Sequence, residues 1–233
     1  AVSSKDGGQR SEQVVVANVD QVIPVMSAGQ PAPSWNMLDR YLVMAEADEL
    51  SAVICINKVD LIDPGDAEFC KVVDEYRQIG YFVLLVSAQT GQGVDELKAL
   101  LKGNLSVFLG KSGVGKTSLL NALQPGLGQR VNEVSRGGLR RGKHTTTSFE
   151  MFPLDFGGSI VDTPGIRKLG LWNIEESELA DYFPEMRPLV GSCRFGLDCR
   201  HNEEPGCMIR KAVMAGRISP RRYKSYMRMK EDL

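Results

Sequence analysis

No apolar run in this chain approaches the length of a membrane span. The polar opening, Ala1 to Arg10, lacks the apolar stretch of a secretory signal, so a cytoplasmic location is the default expectation. Neither sign of charge prevails: 28 lysines and arginines stand against 29 aspartates and glutamates. Composition alone therefore gives no ground for nucleic-acid binding, and any basic surface must be local. Internal repeats are missing as well. Cysteines number five and are unevenly placed. Cys55, inside an apolar run, and Cys70, on a helical pattern, read as core thiols. Cys193, Cys199 and Cys207 cluster with His201, and in a reducing compartment such a group points to metal rather than to disulfides.

What is present is enough for one full domain and a smaller one, since the chain has 233 residues. Residues 1–12 read as a polar tail. Val14 to Asp20 reads as a buried strand, followed by a polar loop containing Pro31 and Pro33. Helical spacing at Leu38, Tyr41, Leu42 and Ala45, a strand at Ala52–Ile56 and a second helical stripe from Phe69 to Ile79 come next. A strand at Tyr81–Val86 and a short helix at Val94–Leu101 complete a βαβαβα alternation. Such alternation implies a mostly parallel sheet with helices on both faces. Residues 124–144, rich in glycine and arginine, read as a long functional loop. Ser148–Leu154 and Gly158–Val161 read as a β pair. Beyond Gly170 the strand patterns stop, and Glu176–Tyr182 and Ile209–Arg217 look helical. The expected organisation is a tail (1–12), an α/β domain (13–170) and a small helical domain (171–233).

Gly110-Lys111-Ser112-Gly113-Val114-Gly115-Lys116-Thr117 fits G-x-x-x-x-G-K-[ST] between a strand-like run, Leu105–Leu109, and a helical stretch from Ser118. Its glycines permit a turn whose N–H groups face phosphates, and the following helix adds its positive end. Lys116 is expected to reach the β- and γ-phosphates and to serve catalysis, and Thr117 to offer a hydroxyl to Mg²⁺, with Ser118 also at the nucleotide. Asn57-Lys58-Val59-Asp60, at the end of another strand run, is the base-reading candidate. The Asp60 carboxylate can accept from the ring N–H and amine of guanine, a donor pair that adenine lacks. Alone the tetrad is a weak signal. Ser87-Ala88, one βα unit later, is its companion, with the Ala88 N–H aimed at the guanine O6. Asp162-Thr163-Pro164-Gly165 fits D-x-x-G, with Asp162 at Mg²⁺ and the Gly165 N–H at the γ-phosphate; by itself it could be a simple β-turn. Among Thr145, Thr146 and Thr147, Thr146 is favoured as a second Mg²⁺ contact. Ordinary GTPases carry the phosphate loop ahead of the base-reading tetrad. Here the order is reversed, which indicates circular permutation.

Cys193-x₅-Cys199-x-His201-x₅-Cys207 offers three thiolates and one imidazole. Four protein ligands suit tetrahedral Zn²⁺ with no open position, hence a structural ion. Arg210, Lys211, Arg217, Arg221, Arg222, Lys224, Arg228 and Lys230 follow with no acidic residue among them, interleaved by Tyr223 and Tyr226. An RNA-facing helix pair and an ordinary solvated face are both open readings.

The order Asn57-Lys58-Val59-Asp60, Ser87-Ala88, phosphate loop, His144-Thr145-Thr146-Thr147, Asp162-Thr163-Pro164-Gly165 and Cys/His cluster resembles the RsgA (YjeQ) family of circularly permuted bacterial GTPases. Ala17-Asn18-Val19-Asp20-Gln21 and Leu38-Asp39-Arg40-Tyr41-Leu42 resemble that family's entry segment. The resemblance implies late maturation of the small (30S) ribosomal subunit, with GTP or GDP, rRNA and the subunit as partners. It also implies one structural Zn²⁺, Mg²⁺ with GTP, a monomer and a cytoplasmic protein. The family's N-terminal OB-fold is expected to be absent, because only about a dozen polar residues precede Val14. Ile166 occupies the place where Ras-like enzymes carry a water-orienting Gln, so intrinsic turnover should be slow and raised by the subunit. His144 is the candidate to position the nucleophile; a solvated loop histidine is the plain alternative. Two rival functions stand beside this one: an RNA-binding structural module with a non-turning-over guanine site, and an ATP-using P-loop enzyme, against which Asp60 argues.

Overall fold

The computed structural model describes residues 18–131, 150–162 and 174–233. They form two compact units that do not follow chain order. One comprises Ala1–Ser34 and Leu50–Gly170, the other Trp35–Glu49 and Leu171–Leu233.

The first unit is built on a six-stranded sheet. Its strands are β1 (Gln21–Ser27), β2 (Ser51–Asn57), β3 (Phe82–Leu85), β4 (Leu105–Leu109), β5 (Glu150–Pro153) and β6 (Ser159–Asp162), in the spatial order β3-β2-β1-β4-β6-β5. All pairings are parallel except β5 with β6. The first strand lies later than the sequence reading placed it. Asn18–Asp20 precede β1, and Val14–Ala17 lie outside the described residues. Pro24 disguised the true strand, since proline has no N–H for a ladder. β1 pairs with β2 at Gln21, Val22, Val25, Met26 and Ser27, stepping over Ile23 and Pro24.

Side chains alternate across the sheet. Ile23, Val25, Val53, Cys55, Phe108 and Ile160 bury one face against α3 (Val94–Leu101) and α4 (Lys116–Leu123), through Leu97, Leu101, Leu119 and Leu123. The helix α2 (Ala67–Ile79) buries Phe69, Val72, Val73 and Tyr76. Asp66 caps its start, Oδ1 accepting from the Glu68 and Phe69 N–H groups at 3.0 Å each. Cys70 is exposed, contrary to the core reading, because helical spacing turns it away from that stripe. Connections from β1 run toward β2 and those from β4 toward β6, so the order reverses between β1 and β4. Ligands of open parallel sheets bind at the carboxyl ends of strands flanking such a reversal.

The second unit contains α1 (Trp35–Ala47), α5 (Met208–Met214), α6 (Pro220–Glu231) and short 3₁₀ turns at Leu179–Tyr182, Arg187–Leu189 and Gly196–Asp198. The helix read at Glu176–Tyr182 is only the first of these turns; its backbone follows i→i+3 bonds such as Asp181 N–H to Glu178 O. The core joins Val43 of α1 to Leu179, Phe183, Ile209, Tyr226 and Met229. Arg222, fully buried, anchors it. Its guanidinium bonds Asp39 Oδ1 of α1 at 2.8 Å and Glu185 by two bonds of 2.7 and 2.9 Å, and lies 4.6 Å from the Phe183 ring. Arg221 adds a 3.2 Å contact to Asp39 Oδ2.

Candidate nucleotide site and metal cage

Because β1, β2, β3 and β4 are parallel, the loops after each gather at one edge of the sheet. Asn57, at the end of β2 and 1% exposed, ties three of them. Its Nδ2 donates to Val114 O of the phosphate loop at 3.1 Å, and its Oδ1 accepts from the Ala88 N–H at 3.1 Å. The Ala88 N–H, expected at a guanine O6, is thus engaged by Asn57. Lys58 adopts the left-handed region and stretches along the phosphate loop, donating to Gly113 O at 2.7 Å and Gln30 O at 2.5 Å. Asp60 Oδ1 accepts from Ser87 Oγ at 2.5 Å, and Ser87 Oγ accepts from the Thr90 N–H at 3.1 Å, which fixes the carboxylate against the companion loop. Val59 opens the 3₁₀ turn that carries Asp60.

The phosphate loop itself turns through Gly113 and Gly115, both left-handed. A Cβ on Gly115 would lie 2.4 Å from Asn57 Nδ2, so glycine there permits both the turn and the Asn57 tie. Lys116 starts α4, and its ammonium bonds the carbonyls of Gly110 and Lys111. Val114 is buried; Lys111, Ser112 and Ser118 are exposed, and Thr117 is half-buried at the start of α4. Asp162 ends β6, paired in register with Glu150. The Asp162 side chain lies outside the described residues, as do Thr146, His144 and Gly165.

One contributor escaped the sequence reading. The segment after β1 reaches the same edge: Gln30 O receives Lys58, Ser34 Oγ accepts from Lys111 Nζ at 3.2 Å, and the Pro31 ring lies beside Gly113. The signal available was its position, immediately after a parallel strand next to the reversal.

Cys193, Cys199, His201 and Cys207 are all buried, and their ligand atoms lie within 4.8 Å of one another. His201 Nδ1 is 3.6 Å from both Cys193 Sγ and Cys207 Sγ, and those sulfurs are 4.0 Å apart. Tetrahedral zinc, with Zn–S near 2.3 Å and Zn–N near 2.0 Å, gives edges of about 3.5 and 3.8 Å, so the cage fits the ion. These four residues form a possible zinc site in which Nδ1 is the nitrogen ligand. Backbone N–H groups of Met208 and Arg210 donate to Cys193 Sγ and Cys207 Sγ, as suits thiolates. Burial pushes the Cys199 thiol up to about 12 and raises that of Cys207. The His201 imidazole is lowered, first by burial and then by the Lys230 charge, a direction that favours the neutral form needed to ligate.

Residues 3–172 match the family model described as RsgA GTPase. The chain belongs to the RsgA GTPase family. It is 48% identical over 227 residues to the Gemmatimonas aurantiaca protein named small ribosomal subunit biogenesis GTPase RsgA, covering 97% of this chain and 73% of that protein. A Moorella thermoacetica protein of the same name is 51% identical over 213 residues, covering 91% and 71%. Among solved structures, YjeQ from Thermotoga maritima matches with a TM-score of 0.78 and 41% identity, over 94% of this chain and 72% of that one. YloQ, described as a circularly permuted GTPase, matches at 0.73 and 34%, over 92% and 68%. The RsgA-family chain accordingly has the permuted GTPase fold that its motif order implied.

Proposed function

We propose that this chain is a Mg²⁺-dependent GTPase of small ribosomal subunit biogenesis, as its relatives are named. The observation that carries the nucleotide reading is Asn57, whose side chain joins the base-reading strand end to both the companion loop and the phosphate loop. Asp60 selects guanine, Lys116 stabilises charge on the β- and γ-phosphates, and the loop N–H groups from Gly110 to Thr117 cradle them. Thr117, Asp162 and Thr146 would hold Mg²⁺, which neutralises phosphate charge. Gly165 senses the γ-phosphate, and His144 positions the attacking water where Ile166 cannot. Hydrolysis is slow alone and is raised by the subunit. Domain roles follow the same division: residues 13–170 carry the nucleotide chemistry, and 171–233 the zinc-stabilised contact with rRNA.

The basic tail supports that contact in reduced form. Arg222 is consumed in the core and Arg221 is held by Asp39, while Lys230 pairs with Glu176 at 3.1 Å. Lys211, Arg217, Lys224 and Arg228 stay exposed and are the residues we assign to rRNA phosphates. No helix among the described residues is long and apolar enough to cross a membrane. We take the protein to act as a cytoplasmic monomer. The test is GTP turnover with and without purified small subunits. The reading requires stimulation by subunits that Lys116→Ala abolishes. Subunit binding with no turnover would instead favour a structural RNA-binding module.

A further inference from the structure

His201 is one of four positions with a side chain in the left-handed backbone region among the described residues, and the only metal-ligand candidate there. A residue bearing a Cβ seldom holds that conformation unless its surroundings impose it. Three side chains grip the backbone around it. Glu204 accepts from the N–H groups on both sides of His201: Oε1 from Arg200 at 3.2 Å and Oε2 from Asn202 at 2.9 Å. Tyr223 Oη donates to the His201 carbonyl at 2.6 Å, and Lys230 Nζ donates to the Arg200 carbonyl at 2.7 Å. The two donors share one face of α6 with Tyr226, whose ring centroid lies 6.4 Å from that of His201. The result is an imidazole whose Nδ1 stands equidistant from two sulfurs.

We infer that Glu204, Tyr223 and Lys230 are positioning residues for the metal, holding the strained turn at His201 so that Nδ1 is aimed at the thiolates before the ion arrives. The inference rests on the reading of the Cys/His cage as a zinc site. Removing a group that holds a metal ligand in its orientation typically costs about 10- to 100-fold in metal affinity. The coupling also runs in reverse. Tyr223 and Lys230 both belong to α6, which carries exposed Lys224 and Arg228. A filled cage therefore stabilises α6 by the same amount that α6 stabilises the filled cage. Metal loading thus adds to the stability of the helix that presents the basic face, beside its Arg222 anchor.

The test is competition for zinc between the intact chain and a chromophoric chelator at fixed pH. It is paired with the ligand-field absorption of the cobalt(II)-loaded protein and hydrogen exchange over 220–231. Tyr223→Phe and Glu204→Gln should each weaken zinc binding about 10- to 100-fold, alter the cobalt bands and speed exchange in α6. Lys230→Met should do likewise and Lys230→Arg should restore binding, a rescue that general destabilisation does not give. Lys230 lies at the end of α6, so its variants keep the test open should Tyr223→Phe fail to fold. Tyr223→Phe and Lys230→Met binding zinc like the parent, with unchanged cobalt spectra, would overturn the positioning role even if thermal stability fell. A parent chain that loses to the chelator with no measurable zinc affinity would overturn the metal reading itself, and the positioning role with it.

Discussion

Two glycines of the phosphate loop separate a conformational effect from a packing effect. Gly113 and Gly115 have φ of +87° and +93°, so alanine at either is strained by about 1–2 kcal/mol. Their surroundings differ. A Cβ at 113 meets only the Pro31 ring at 3.6 Å, an ordinary contact, whereas at 115 it meets Asn57 Nδ2 at 2.4 Å. Asn57 is buried and must move, which breaks its bonds to Val114 O and from the Ala88 N–H. At about 1 kcal/mol each, these add about 2 kcal/mol for Gly115→Ala. Since the loops must be assembled to hold a nucleotide, the difference appears in affinity: Gly115→Ala should bind GDP about 30-fold more weakly than Gly113→Ala. Titration calorimetry with GDP and Mg²⁺ measures this, with zinc content confirming that the second unit is intact. Equal losses, or a larger loss at Gly113, would show that Asn57 does not brace the loop.

Three further outcomes follow from other sites. Arg222→Ala leaves Asp39 and Glu185 without the buried guanidinium and should lower unfolding free energy by about 3–5 kcal/mol in denaturant titration; replacing Asp39, Glu185 and Arg222 together by apolar residues of similar volume should recover most of it. Zinc uptake by the metal-free protein at pH 7 should release at least two protons, from Cys199 and Cys207, whose thiols burial raises, and none from His201, which is lowered. Affinity then falls by at least about 100-fold for each unit drop in pH, and calorimetry in buffers of different ionisation enthalpy counts the protons. Asp66→Ala removes the cap of α2 and should destabilise by about 1 kcal/mol in thermal unfolding.

The sequence was most legible where chemistry dictates local geometry. The strands before the phosphate loop and the tetrad, the start of α4 and the zinc spacing all follow from short motifs whose backbone requirements are strict. Legibility failed where the reason lies far away in the chain. The α1 helix reads as the next element of the βα alternation, and nothing local marks Asp39 as buried; its partner Arg222 lies 183 residues on. Arg222 reads as one member of a basic run that faces either RNA or solvent. Its place in the stripe Arg222, Tyr226, Met229 was a usable signal, since that spacing lies on one helix face. Pro24 hid a central strand because a missing N–H is tolerable where the ladder skips. The segment holding Gln30, Pro31 and Ser34 carries no motif at all; only topology brings it to the phosphate loop.

Guanine selection depends on Asp60, held against the companion loop by Ser87, reading the base. Asp60→Asn replaces a double acceptor with a side chain that can donate to a carbonyl, which xanthine has at the position of the guanine amine. Parallel titrations of the parent chain and this variant with GDP, ADP and xanthosine diphosphate are decisive. The parent should bind GDP and reject the other two, and the variant should lose GDP and gain the xanthosine ligand. A variant that keeps GDP and gains nothing, or a parent indifferent between GDP and ADP, would contradict base reading by Asp60.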